Sequence, residues 1–486
     1  MKIQIKNVLL LLACTGPMAM SAAAQTFTNL YNFTAIDAQV TEAGFGYGVN
    51  GDGANPYAGL ILSGHTLYGT AQSGGLWGRG TVFAVNTDRP GFTNLYSFSP
   101  FLGGEPFTNS DGSSPYGGLV LLGSTLYGTA FDGGTNGYGT VFAINTDSTG
   151  FTNLHNGATG LNGAYPYAGL ILSGNTLYGT TQSGGAIAPV EEGLVFALNT
   201  DGSGFTNVYD FSFAPGPDYT NSDGINPEAG LMLSGKTLYG TAQGGGSSGK
   251  GTVFAVNTDR TGFTNLYNFT NGIDGANPQS GLVLSGNILY GTAQGGGSSG
   301  KGAVFAVNTD GTGFRSLHSF TGLNGDGSSP YAGLILSGRT LYGTTSGGGA
   351  SNGTVFAIDT DGSGFTNLYS FSATAGPNHT NSDGANPYAG LILSGNILYG
   401  TAVTGGANGN GTVFALSLVP SLSIVLAGNQ VVLSWPAWAP NFSLWSTTNL
   451  ASLVWSAVSP GQVVINGQNT VTNPILGTQQ FYQLKY

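Results

Sequence analysis

A single cysteine in 486 residues excludes a disulfide-stapled fold. Because it is Cys14, the chain beyond its first two dozen residues has no thiol for redox, nucleophilic or metal chemistry. Charge is almost as scarce: Asp, Glu, Lys and Arg make up 7% of residues, and the 11 basic ones form no cluster against 22 acidic ones. A net charge of −11 without a basic patch gives nucleic acid or an anionic membrane nothing to hold. The four histidines lack the paired spacing of a zinc site. No stretch offers 18 consecutive apolar residues, so no transmembrane segment is expected.

The longest apolar stretch, "VLLLLACTGPMAM", follows Lys2 and Lys6 and leads into small residues at Ala22 and Ala24. This pattern predicts a signal peptide over residues 1–24 and export of the remainder. The alternative is lipid attachment through Cys14, since "LLAC" loosely resembles a lipobox.

What the chain has in abundance is glycine, 85 residues, with 11% aromatics and 40% hydrophobic residues overall. That mixture predicts many short strands joined by tight turns, with little or no helix. The stretch "GLILSGNTLYGTTQSGG" at Gly169 has close variants at Gly59, Gly118, Gly230, Gly281, Gly333 and Gly390. The tyrosines of "LYGT" fall 51 to 61 residues apart, a period typical of propeller blades. Each repeat offers four strand candidates of five to seven residues, such as "GLILSG", "TLYGTA", "TVFAVNTD" and "FTNLYSF", here called a, b, c and d.

The order of these pieces predicts how the array ends. The chain has a d strand at Phe27 to Phe33 before any a strand, and its last repeat stops after a c strand at Gly411 to Leu418. The expectation is therefore an all-β, seven-bladed β-propeller over residues 25–418, with the N-terminal strand closing the last blade. After Val419 the repeat ends and four of the five tryptophans appear. Residues 419–486 are expected to form a small β-sandwich with Trp435 and Trp455 in its core.

"GTVFAVNTD", "GFTNLYSF", "DGANPYAGLILSGHTLYGT" and "AQGGG" resemble the tandem repeat of the GloVer (Gloeo-Verruco) family of secreted bacterial proteins over about residues 26 to 418. The resemblance implies export and surface association but supplies no biochemical activity. The C-terminus departs from the anchored pattern of that family, having no apolar span followed by basic residues.

In a propeller the d-to-a and b-to-c connections share one face. Here those loops vary in length and sequence, whereas the a-to-b and c-to-d turns are short and uniform, so binding residues are expected on the variable face. Asp52, Asp111, Asp223, Asp274, Asp326 and Asp383 recur in register before strand a, and residues repeated in this way serve the repeat itself. Clustered oxygens such as those of "NSDG" before Ala385 make calcium the one cofactor candidate. Glu42, Glu105, Glu191, Glu192 and Glu228 are not periodic and all map to the variable face. With the aromatic and basic residues Tyr47, Trp77 and Arg79, the first four make the candidate ligand site. Tyr57, Tyr116, Tyr167, Tyr331 and Tyr388 recur ahead of strand a and are read first as packing residues. The expected function is a secreted, non-catalytic scaffold binding carbohydrate or protein; the alternative is a polysaccharide-active hydrolase or lyase using the variable-face acids.

Overall fold

The computed structural model describes residues 26–486 except 37, 43–44, 90, 159–161, 186–191, 324, 351, 421, 428–429, 437–438, 440–441, 449–453, 459–460, 466–467, 475–479 and 486, and of 38–42 and 45–47 the backbone alone. The expected signal peptide, Cys14 and Glu191 lie outside the described residues. Among those described there is no α-helix, and so none long and apolar enough to cross a membrane.

Seven four-stranded antiparallel sheets follow one another along the chain, each in the order a, b, c, d. The first comprises Ile61–Ser63, Thr66–Ala71, Thr81–Asn86 and Phe92–Ser97. Its b strand is buried almost throughout and its c strand likewise, as strands covered on both faces must be. The seventh sheet takes its a, b and c strands from Ile392–Ser394, Ile397–Ala402 and Thr412–Ser417, and its outer strand from Thr26–Asn32. Thr26 pairs with Ser417 and Asn32 with Thr412, the pairing expected from the offset of the repeats.

The sheets pack face to face. One hydrophobic cluster joins Tyr68, Val82 and Phe98 of the first sheet to Leu126, Phe142 and Ile144 of the second. Equivalent clusters follow, and Phe33, Tyr399 and Val413 of the seventh sheet pack on Leu67, Phe83 and Val85 of the first. Each d-strand aromatic stacks on the Phe that opens the next d strand: Tyr31 on Phe92 at 4.1 Å, Tyr96 on Phe151 at 3.9 Å, His155 on Phe205 at 3.9 Å, and finally Tyr369 on Phe27 at 4.2 Å. His155 and His318 are thus strand residues packed in aromatic stacks.

A buried hydrogen bond repeats the same succession nearer the middle. The Thr of each "LYGT" donates to a carbonyl ahead of the next a strand: Thr70 to Gly117 (3.1 Å), Thr129 to Ala168 (2.9 Å), Thr180 to Ala229 (3.1 Å), and Thr401 to Ala58 (3.0 Å). The neighbouring glycine is demanded by packing, since a Cβ on Gly69 would stand 2.7 Å from the Phe83 ring and 2.8 Å from Leu60. Strand a is shorter than the five to seven residues expected and holds only three in the ladder. The preceding residues, Ala58 among them, give their carbonyls to the neighbouring sheet instead of to strand b.

The recurring aspartates tie each d-to-a connection to the d strand before it. Asp383, 3% exposed, accepts hydrogen bonds from Tyr369 Oη (2.7 Å), the Ser372 amide (2.9 Å) and Ser372 Oγ. Asp52 and Asp223 do the same from the first and fourth sheets' loops. In the c-to-d turns, Asp201 caps Ser203, whose amide and hydroxyl both donate to it, and these bonds hold its carboxyl below the usual range.

Beyond Leu418 lie a four-stranded sheet (Ser423–Ala427, Gln430–Pro436, Gln468–Pro474, Val463–Ile465) and a three-stranded one (Ser456–Ala457, Ser443–Thr447, Phe481–Lys485). Trp435 is fully buried with Leu433, Phe442, Leu444 and Val471, in a cluster continuous with Leu416 and Leu418; Trp455 is half-buried.

Candidate functional site

The residues just ahead of strand a converge. Tyr57, Tyr116, Tyr167, Glu228, Gln279, Tyr331 and Tyr388 occupy the same place in the seven repeats and together line one cavity of about 180 Å³. Its wall is otherwise small: an Ala, Gly or Ser follows each, and then a glycine. Gly169 has no room for a side chain, because a Cβ there would lie 2.7 Å from the Gly118 carbonyl oxygen; on Gly59 it would lie 3.4 Å from that of Gly390, an ordinary contact. The d-to-a and b-to-c loops meet at this end of the sheets, as the bridges of Ala54 with Ser73 and Ala385 with Thr404 show.

Five tyrosines form a continuous arc. Ring centroids are 4.6 Å apart from Tyr331 to Tyr388, 5.2 Å from Tyr388 to Tyr57, 5.2 Å from Tyr57 to Tyr116 and 4.8 Å from Tyr116 to Tyr167. Burial raises the phenol pKa of each arc member for which a shift is resolved, that of Tyr116 to about 12, so these hydroxyls are neutral at ordinary pH. Glu228 and Gln279 fill the remaining gap between Tyr167 and Tyr331.

Glu228 is 8% exposed. Its Oε1 accepts from Gln182 Nε2 at 2.6 Å and its Oε2 from Gln279 Nε2 at 2.5 Å. Burial pushes its carboxyl above the ordinary 4.5, and the two amides oppose that rise only in part. No lysine, arginine or histidine lines the cavity among the described residues. The Gln279 amide must turn its N–H toward the carboxylate, which leaves its Oε1 buried without a hydrogen-bond partner. The site therefore presents one buried carboxyl group, one unused acceptor and an arc of aromatic rings.

Among the described residues, none of the sequence-predicted site residues lines this cavity. Trp77 is 42% exposed beside Leu76 at 62%, in the b-to-c loop of the first sheet. Arg79, two residues on, is 5% exposed, with its guanidinium 3.7 Å above the Phe101 ring, which removes it from the loop surface. Glu105 is exposed in the loop between Phe101 and Thr108. Glu192 is 8% exposed; its Oε1 accepts from the Ala214 amide at 3.3 Å, and burial raises its carboxyl. Glu42 and Tyr47 stand in the hairpin Ala38–Glu42 and Phe45–Val49, their side chains outside the described residues. Among the described residues, no group of three or more His, Cys, Asp or Glu is placed to hold a metal ion. The signal for this site was a break in register: "PYAGL" becomes "PEAGL" at Glu228 and "PQSGL" at Gln279.

The sequence profile of the Gloeobacter/Verrucomicrobia repeat matches residues 105–286 and 217–414. Among solved structures, a GH74 enzyme from Niastella koreensis is similar at 15% identity and a TM-score of 0.47, over 85% of this chain and 60% of its own. An oligogalacturonate lyase from Vibrio parahaemolyticus is similar at 8% identity and 0.43, over 82% and 98%. A chain of a nidogen/laminin complex is similar at 14% identity and 0.37, over 61% and 89%. No curated protein matches the sequence.

Proposed function

The chain belongs to the Gloeobacter/Verrucomicrobia repeat family, and from that premise we propose that it is an exported, seven-bladed β-propeller with a C-terminal β-sandwich, acting as a non-catalytic carbohydrate-binding scaffold. Support for the ring comes from contacts that run from each sheet to the next and return from the seventh to the first. The observation that carries the binding reading is the axial cavity at the variable-loop end, where rigid tyrosine rings stand beside amide and carboxylate groups. Aromatic faces with a few convergent polar groups suit saccharides, whose rings present apolar C–H faces and hydroxyl edges.

The hydrolase alternative asks for two carboxyl groups flanking a glycosidic bond. Among the described residues the cavity lining has one, Glu228, and its oxygens are already engaged by two amides. A glycan array probed with the full chain, followed by an assay for reducing ends or unsaturated products on each hit, tests the reading. Saturable binding without product is expected. Product release that depends on variable-face acids would replace the scaffold by an enzyme.

A further inference from the structure

We infer that the axial cavity receives a primary ammonium group carried on a saccharide, so that the recognised ligand contains a free amino sugar; this rests on the carbohydrate reading above. Three observations converge. Glu228 is buried, faces the cavity, and has only amide partners, so its charge lacks a compensating cation. Gln279 Oε1, adjacent to that carboxylate, is a buried acceptor that receives no hydrogen bond. The large side chains of the remaining wall are an arc of tyrosines, a residue whose ring faces attract cations.

An ammonium group answers all three needs at once. It supplies the positive charge and three N–H donors, one for the carboxylate, one for Gln279 Oε1 and one for a phenol oxygen or ring face. A neutral sugar hydroxyl would satisfy the orphaned acceptor but leave the charge uncompensated. A calcium ion needs six to eight oxygens, and each Glu228 oxygen already holds an amide hydrogen. The sister repeats explain the specificity of the position. Five of them place tyrosine where the fourth places Glu228, so the ring does not need an acid there.

The test is calorimetric titration of the full chain with glucosamine, N-acetylglucosamine, glucose and methylammonium, with chitosan and chitin oligosaccharides, and with glucosamine in the presence of calcium, for the wild type, Glu228→Gln and Glu228→Tyr. The second variant installs the residue that the sister repeats already carry, which keeps the measurement free of a folding defect. Glucosamine and chitosan are expected to bind, and both variants to weaken them by about thirtyfold or more, as loss of one partner of a buried charge pair does. Equal binding of N-acetylglucosamine or glucose, or affinity unchanged by either variant, overturns the inference while leaving a carbohydrate scaffold intact. Glu228-dependent binding of methylammonium with no response to any saccharide keeps the ammonium site and overturns the carbohydrate reading. Calcium that displaces glucosamine at equal concentration also overturns the inference.

Discussion

Replacing Phe33 by alanine tests the closure of the array at one side chain. Phe33 directly follows the N-terminal strand, is fully buried, and donates its amide to the Gly411 carbonyl at 3.1 Å. Its ring meets Tyr31 at 5.4 Å, Phe83 at 5.3 Å and Phe92 at 6.0 Å, all edge-on, so it bridges the seventh sheet to the first. Truncating such a side chain removes its transfer free energy and leaves a cavity, together about 3–5 kcal/mol. Phe269 is the internal control. It holds the same place after its own d strand, is equally buried, donates to Gly251 at 3.0 Å and meets Tyr267 and Phe305 at 5.3 and 5.1 Å. Urea unfolding followed by far-ultraviolet circular dichroism, with linear extrapolation, should give the two alanine variants losses equal within about 1 kcal/mol. A Phe33→Ala loss below about 1 kcal/mol beside a full loss for Phe269→Ala would refute closure through the N-terminal strand, because that strand would then be no more than a peripheral tail.

Thr401→Val removes the buried hydroxyl that donates to the Ala58 carbonyl, and should cost about 1–3 kcal/mol in the same assay; a neutral result would show that this bond contributes nothing to joining the seventh sheet to the first. Trp77→Ala should alter stability by less than about 0.5 kcal/mol, because the side chain is 42% exposed, and should weaken any glycan found on the variable face by about 1 kcal/mol. Melting and titration run together check it, and a destabilised variant with unchanged binding would make Trp77 a packing residue. Burial makes the folded chain hold the Glu228 proton more tightly than the unfolded chain, so this group's contribution to stability falls as pH rises from about 4.5 through the raised folded value. Glu228→Gln abolishes that term, and the Gln279 amide can turn its free Oε1 toward the new N–H. Its stability relative to wild type should therefore increase between pH 4 and pH 7; a constant difference across that range would show that Glu228 does not titrate there.

Much of the architecture was written locally. The alternation of apolar strands with Gly, Asn and Asp turns marks four strands per repeat without knowledge of the tertiary fold, because strand pairing and turn chemistry depend on near neighbours. Even the partner of the first strand was legible: a leading d strand and a final abc set are complementary halves, and Thr26–Asn32 does pair with Thr412–Ser417. The recurring aspartates were legible for the same reason, since each binds a Tyr, Ser or Thr of the d strand and loop just before it.

What only the tertiary structure decided is which residues meet at the axis. Tyr57, Tyr167 and Glu228 are each separated by dozens of residues, and nothing within one repeat says that its pre-strand position faces six others. The shortened a strand was equally invisible, because the carbonyl of Ala58 is claimed by Thr401, at the far end of the array. Arg79 looked like a loop-surface cation until Phe101 was placed beneath it. Hydrogen bonds along a strand are set by sequence neighbours, whereas the charge balance of a cavity is set by all the chains of atoms that converge on it. A single glutamate in a register of tyrosines is unremarkable along the sequence and becomes a buried charge awaiting a cation only once the seven sheets have brought its neighbours around it.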